Sequence, residues 1–159
     1  MKLTQAEEKH LEFVLAPYIS DEKVQEMKNY VQHGNVSTYE HVSDVTKLCY
    51  LMNTRLHLGA DEKTLLEGAF LHDFYLYDWH TVGKQLDGLH GYVHADIAAR
   101  NAKRRFGIDD KVHSIIKTHM WPLNLTAVPS SKEAWILTTA DKVISIKETL
   151  FKRKILEKN

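Results

Sequence analysis

The sequence predicts an all-α protein, a single bundle of about six to seven helices over residues 1–159. Three observations predict it. Apolar residues recur at helical spacing along most of the chain, and no segment alternates as a half-buried strand would. Capping residues open these periodic stretches, and glycines follow several of them. No internal repeat, low-complexity tract or Pro/Gly/Ser-rich linker divides the chain, whose 159 residues suffice for one core but are few for two.

The elements follow in order. Thr4 with Glu7 forms a capping box that opens a helix near 4–16. A second helix is expected near 21–32, with Gly34 as its stop. Ser37 with Glu40 opens a third near 37–58, ended by Gly59, and a fourth runs near 62–75. An irregular loop is expected over 76–91, where Gly83, Gly88 and Gly91 cluster. Helices near 92–106 and 109–120 flank Gly107. A second loop over 121–130 holds Pro122 and Pro129, and Ser130 with Glu133 opens a last helix near 131–152.

Composition narrows the class. Hydrophobic residues make up 43% and charged residues 26%, the balance of a soluble globular protein. Lys plus Arg and Asp plus Glu each total 21, so net charge supplies no pull toward nucleic acid or a membrane surface. No apolar run is long enough for a membrane span. The charged stretch "MKLTQAEEKH" lacks the character of a secretory leader, and the single Cys49 excludes an internal disulfide, so a cytoplasmic location is expected. Ten histidines are the unusual feature of the composition.

Several ionisable residues fall on apolar stripes. Val45, Leu48, Cys49 and Met52 form a helical stripe that reaches His41 one turn earlier. Val112, Ile115 and Ile116 lead to His119, and Leu137 and Ile144 bracket Asp141. In "GAFLHDFYLYDWH", His72 continues the Leu65–Ala69 edge and Asp73 the Leu66–Phe70 edge of a broad buried face. Four helices thus send a histidine or an aspartate into the core, where each needs a partner, and few Lys or Arg lie on those stripes. A bound metal would satisfy the whole set. Any one of these residues alone could equally be a core side chain bonded to backbone.

With those residues in hand, the chain resembles the HD superfamily of metal-dependent phosphohydrolases. The likeness rests on His41, on "LHD" at 71–73 and on "TADK" with Asp141. Two further histidines of the dinuclear members fall in "GYVHADIAARNAKRRFGIDD" (His94) and "IIKTHMWP" (His119). The stretch 94–119 is also similar to the bacterial diadenosine tetraphosphate hydrolases. The resemblance implies an HD-type bundle with a metal-bearing core over about 37–150. It implies one metal on His41, His72, Asp73 and Asp141, and a second on His94 and His119 with Asp73 bridging. Imidazole and carboxylate donors suit iron, manganese, nickel or zinc, with magnesium a further option. Two such ions, roughly 3.5–4 Å apart, would share a hydroxide that attacks a phosphoester or phosphoanhydride.

One position departs from the pattern. The cyclic dinucleotide phosphodiesterases of the HD-GYP type and the tetraphosphate hydrolases carry a lysine three residues after the aspartate of the pair, where this chain has Leu76, and no "GYP" follows. Arg100, Lys103 and Lys142 are candidate replacements, with a solvated surface role as the alternative for each. Asp73, His90 and Lys142 are the expected catalytic residues, His90 as a substrate-proton donor or a support for the ligands. Asp44, Asp78, His80, Arg100 and Trp121 are the expected substrate contacts, Trp121 through stacking on a base. Trp79 and Trp135 are read as packing residues, and His10, His33, His57 and His113 as surface positions.

The expected partner is a small-molecule phosphate, a nucleotide in the first instance, with neither nucleic acid nor membrane involved and a homodimer left open. Two other readings stand beside the hydrolase. Some HD-fold enzymes use a similar six-ligand set for two irons and act as oxygenases. A non-catalytic HD module that senses ligands or organises partners is the third, although such a scaffold has no physical need for buried ionisable groups.

Overall fold

The computed structural model describes residues 2–81 and 89–156. The chain begins with α1 (Gln5–Ile19), opened by the Thr4/Glu7 capping box. It outlasts the expected 4–16 because Pro17 sits in its last turns, where the ring removes one amide but need not end the helix.

The expected helix over 21–32 is replaced by three shorter pieces. Asp21 caps α2 (Glu22–Glu26), a 3-10 turn follows at Met27–Asn29, and the chain then pairs with itself as β1 (Val31–His33) and β2 (Val36–Ser37). The strands run antiparallel, with Val31 opposite Ser37 and His33 opposite Val36. Gly34, at φ +70°, therefore turns a hairpin instead of closing a helix. Valines flanking "HGN" favour this outcome, since β-branched residues beside a glycine turn prefer pairing to a helical end.

The hairpin feeds directly into α3 (Thr38–Arg55), opened by the Ser37/Glu40 box and tied back by the Thr38 amide, which donates to the Tyr30 carbonyl at 2.8 Å. Asp61 caps α4 (Glu62–Leu71), which is buried continuously from Thr64 onward. This helix stops at Leu71, four residues short of expectation. The Phe74 amide turns back to the Leu71 carbonyl at 3.0 Å, and Leu76 adopts a left-handed φ of +61°.

Next come α5 (His90–Phe106), closed by Gly107 at φ +63°, and α6 (Asp110–Thr118), capped by Asp109. Gly91 lies within α5, not in the preceding loop, and Gly83 and Gly88 lie outside the described residues. The last helix is α7 (Lys132–Leu156). Its first turn is capped by Ser131, whose hydroxyl accepts from the Ala134 amide at 3.1 Å, so the expected Ser130 cap is displaced by one residue.

The result is an all-α bundle with one small hairpin. Helix α4 runs through its middle, packed on α1, α3, α5, α6 and α7. One apolar cluster joins Leu11, Val42, Leu66, Phe70, Phe74, Ala98 and Ile116, and a second joins Val45, Cys49, Leu65, Ile115, Leu137 and Ile144. Gly68 is what lets α6 lie so close, because a Cβ there would overlap the Ile115 side chain. Among the described residues, no helix is long and apolar enough to cross a membrane.

Candidate metal centre

Five helices converge on one polar pocket in this core. His41 comes from the first turns of α3, His94 from α5 and Asp141 from α7, while His72 and His119 stand at the C-terminal ends of α4 and α6. All five, with Asp73, are buried. The neighbours His72 and Asp73 share this target at the end of α4. On a helix they diverge by about 100°, and His72 keeps helical dihedrals (φ −61°, ψ −28°), so they reach one target from different directions, with 3.4 Å between His72 Nε2 and Asp73 Oδ2.

The Asp73 carboxylate lies at the middle. Its Oδ2 is 3.4 Å from His72 Nε2 and 3.8 Å from His41 Nε2. Its Oδ1 is 3.3 Å from His94 Nε2 and 3.7 Å from His119 Nε2. One oxygen therefore faces each half of the cluster. Asp141 Oδ1 completes the first half, 3.2 Å from His41 Nε2 and 3.8 Å from His72 Nε2.

Four imidazoles are oriented by their outer nitrogens. Nδ1 of His72, His94 and His119 lies 2.8, 2.8 and 2.7 Å from the carbonyls of Ala69, His90 and Ile116. A carbonyl only accepts, so each Nδ1 carries the proton and each Nε2 turns a lone pair inward. His41 Nδ1 has the Glu148 carboxylate at 3.0 Å instead. Two consequences follow inside. His94 and His119 bring their Nε2 atoms to 3.1 Å, which requires a proton or a cation between them. Among the described residues, His72 Nε2 and Asp73 Oδ1 are buried with no hydrogen-bond partner. Both atoms are electron-pair donors, and a divalent cation is the group that satisfies them; the residues fit it.

The electrostatics agree. Burial works against the charge of Asp73, but His72 and His94 outweigh it and hold the carboxyl well below its ordinary range. Asp141 is likewise held low against burial by the hydrogen bond from His41. For His41, burial is overcome by Asp141 and Glu148, which push it up to about 10. Burial is also overcome at His94, raised by Asp73. His119 goes the other way, down to about 3, through burial and the neighbouring imidazoles His72 and His94.

A cavity of about 910 Å³ opens onto Asp73, His94, His119 and Asp141. Lys142 and Ser145 line one side. The Lys142 ammonium donates to the His119 carbonyl at 3.0 Å and lies 3.8 Å from Asp141 Oδ2. His90 lines the opposite wall between Trp79 and His94, its Nδ1 2.9 Å from the Tyr77 hydroxyl, and burial beside His94 lowers it to about 4. Leu89, Met120, Pro122 and Leu123 supply an apolar wall.

The remaining expected contacts lie elsewhere. Asp44 pairs with Lys47 at 3.5 Å and faces a separate groove of about 580 Å³. Asp78 and His80 bond to each other in an exposed turn. Arg100 pairs with Asp96, and Lys103 with Asp110 and the Ile108 carbonyl. Trp121 packs edge-on against Trp135. Of the candidate replacements for the lysine absent at 76, only Lys142 lines the cavity; Leu76 itself packs against the larger apolar cluster.

Three residues of the site went unread in the sequence. Glu148 lies seven residues after Asp141 on α7, and extending that stripe two turns would have found it. Gln32 was hidden by reading 21–32 as helix, and His33 was read as a surface position. The Gln32 amide donates to Asp73 Oδ2 at 2.6 Å, and its oxygen accepts from the Tyr75 and Thr38 hydroxyls. His33, half-buried, packs edge-on against His41 at 5.6 Å and lines the cavity, so it is no surface position.

Among known proteins, the family model described as HD domain matches residues 38–145. No curated protein and no solved structure matches the chain.

Proposed function

The chain belongs to the HD domain family, and from that premise we propose that it is a metal-dependent phosphohydrolase acting on a phosphoester or phosphoanhydride of a small molecule. The observation that carries the reading is the convergence of six buried side chains, two of whose atoms, His72 Nε2 and Asp73 Oδ1, are left without a hydrogen bond among the described residues. His41, His72, Asp73 and Asp141 would hold one divalent ion, and His94, His119 and the other Asp73 oxygen a second. Bound there, such ions supply Lewis acidity and an activated water near neutral pH.

The protein's own residues do the rest. Glu148 keeps a proton on His41 Nδ1, so that Nε2 is free to ligate. Gln32 fixes the Asp73 carboxylate plane through a bond whose far end is itself held by Tyr75 and Thr38. Lys142, tethered to the His119 carbonyl, offers an ammonium to a phosphoryl oxygen at the cavity wall. His90, uncharged at neutral pH, contributes a hydrogen-bonding nitrogen there.

Metal analysis of the purified protein tests the reading together with phosphate release from a panel that begins with nucleotides and is run without oxygen. About one metal or more per chain and oxygen-independent phosphate release are expected, and Asp73→Ala should abolish loading of both positions. Fewer than about one metal per chain would overturn the reading. Turnover that needs oxygen and a mixed-valent iron pair would replace it with the oxygenase chemistry available to the same donors.

A further inference from the structure

We propose that the part of the substrate beyond the phosphoryl group is aliphatic, so that the site takes an alkyl-type phosphate in preference to a nucleotide. The inference rests on the phosphohydrolase reading for the phosphoryl end and goes beyond it for the organic end.

The cavity is divided by polarity. Its floor carries the metal-facing donors, with Lys142 and Ser145 beside them. Its wall begins one residue past a ligand: Met120, Pro122 and Leu123 follow His119 directly, and Leu89 immediately precedes α5, which carries His94. The two edges of this wall meet, because a Cβ at Gly91 would stand 3.0 Å from the Leu123 side chain. Leu89 is 71% exposed and Leu123 45%, so apolar surface is left in water right at the mouth of a polar site. A ligand with an anionic head and a hydrocarbon body would place each part against its complement.

The apolar wall itself gives a nucleobase little to hold. Trp79 already stacks on His80 at 3.8 Å and on His90 at 5.0 Å, the latter with only 11° between the planes. Trp121 is turned edge-on into Trp135 and does not line the cavity. The Gln32 amide, the group best suited to read a base edge, is committed at both ends to Asp73 and to Tyr75 and Thr38. Leu89, Met120, Pro122 and Leu123 therefore form a hydrocarbon surface with no aromatic ring among them.

The test uses the full-length, metal-loaded protein and n-alkylphosphonates from methyl to octyl, measured by calorimetric titration beside adenosine monophosphate. Each added methylene should tighten binding roughly two- to fourfold until the wall is covered. In Leu123→Ser and in Leu89→Ser, both at exposed positions, the gain per methylene should fall by half or more. Leu125→Ser, equally apolar and exposed but outside the cavity lining, should keep the full gain. Affinity independent of chain length, tighter binding of the nucleotide than of any alkylphosphonate, or no binding of either would overturn the proposal. A steep chain-length dependence without phosphate release from the matching alkyl phosphates would leave the aliphatic site standing and remove the hydrolase reading instead.

Discussion

In the proposed metal centre, the contact between Glu148 and His41 would decide which histidine nitrogen meets the ion. Three of the four converging imidazoles are oriented by backbone carbonyls, which no substitution of a side chain removes. His41 alone depends on a side chain, at 3.0 Å. Glu148→Ala should therefore weaken metal binding by about 10- to 100-fold, as loss of such a supporting carboxylate does elsewhere, read by competition with a chromophoric chelator. Glu148→Gln, which can still accept the Nδ1 proton through its amide oxygen, should lose less. Equal affinity in the alanine variant would show that His41 finds its tautomer without help.

At the scale of elements, α4 carries the heaviest constraint. Its residues from Thr64 to Leu71 are buried, and Gly68 faces Ile115 with no room for a methyl group. Gly68→Ala should cost about 1–3 kcal/mol of stability through overpacking, measurable by denaturant unfolding. It should also weaken metal binding, since pushing α6 away moves His119 from His72. An unchanged unfolding midpoint would mean that Ile115 yields freely. Helices of this kind were readable in the sequence because burial repeats with their period: the stripes through Val45–Met52, Val112–Ile116 and Leu137–Ile144 lead to His41, His119 and Asp141. The end of α4 was not readable, because the turn after Leu71 is set by tertiary contacts and the apolar pattern runs on through Tyr75. The hairpin was missed for a different reason. Two strands of three and two residues are too short to show a period, and only the valines around "HGN" mark them.

For the molecule as a whole, the buried charges set how stability follows pH when no metal is bound. His119 and His90 are held down to about 3 and about 4 in the fold, against 6.5 unfolded. The unfolded chain therefore binds more protons below pH 6.5, and stability falls as the pH drops from there. His41 is raised to about 10, so its contribution is fully present below pH 6.5 and is lost as the pH rises toward 10. The melting temperature of chelator-treated protein should accordingly peak near pH 6.5. Metal binding should raise it by mass action and flatten the alkaline limb, because ligation displaces the His41 proton. A monotonic rise of the chelated protein's melting temperature from pH 6 to 9 would contradict this assignment.

The stretch that carries the family likeness, 38–145, contains all six side chains of the proposed metal centre. Gln32 lies six residues before it and Glu148 three residues after it, and these are the two side chains that brace Asp73 and His41. A fragment trimmed to the matched boundaries would retain every ligand and lose both braces, so it should bind metal weakly. Ligand inventory and functional boundary are thus different things in this chain: the working unit extends at least from Tyr30, whose carbonyl ties down Thr38, to Glu148.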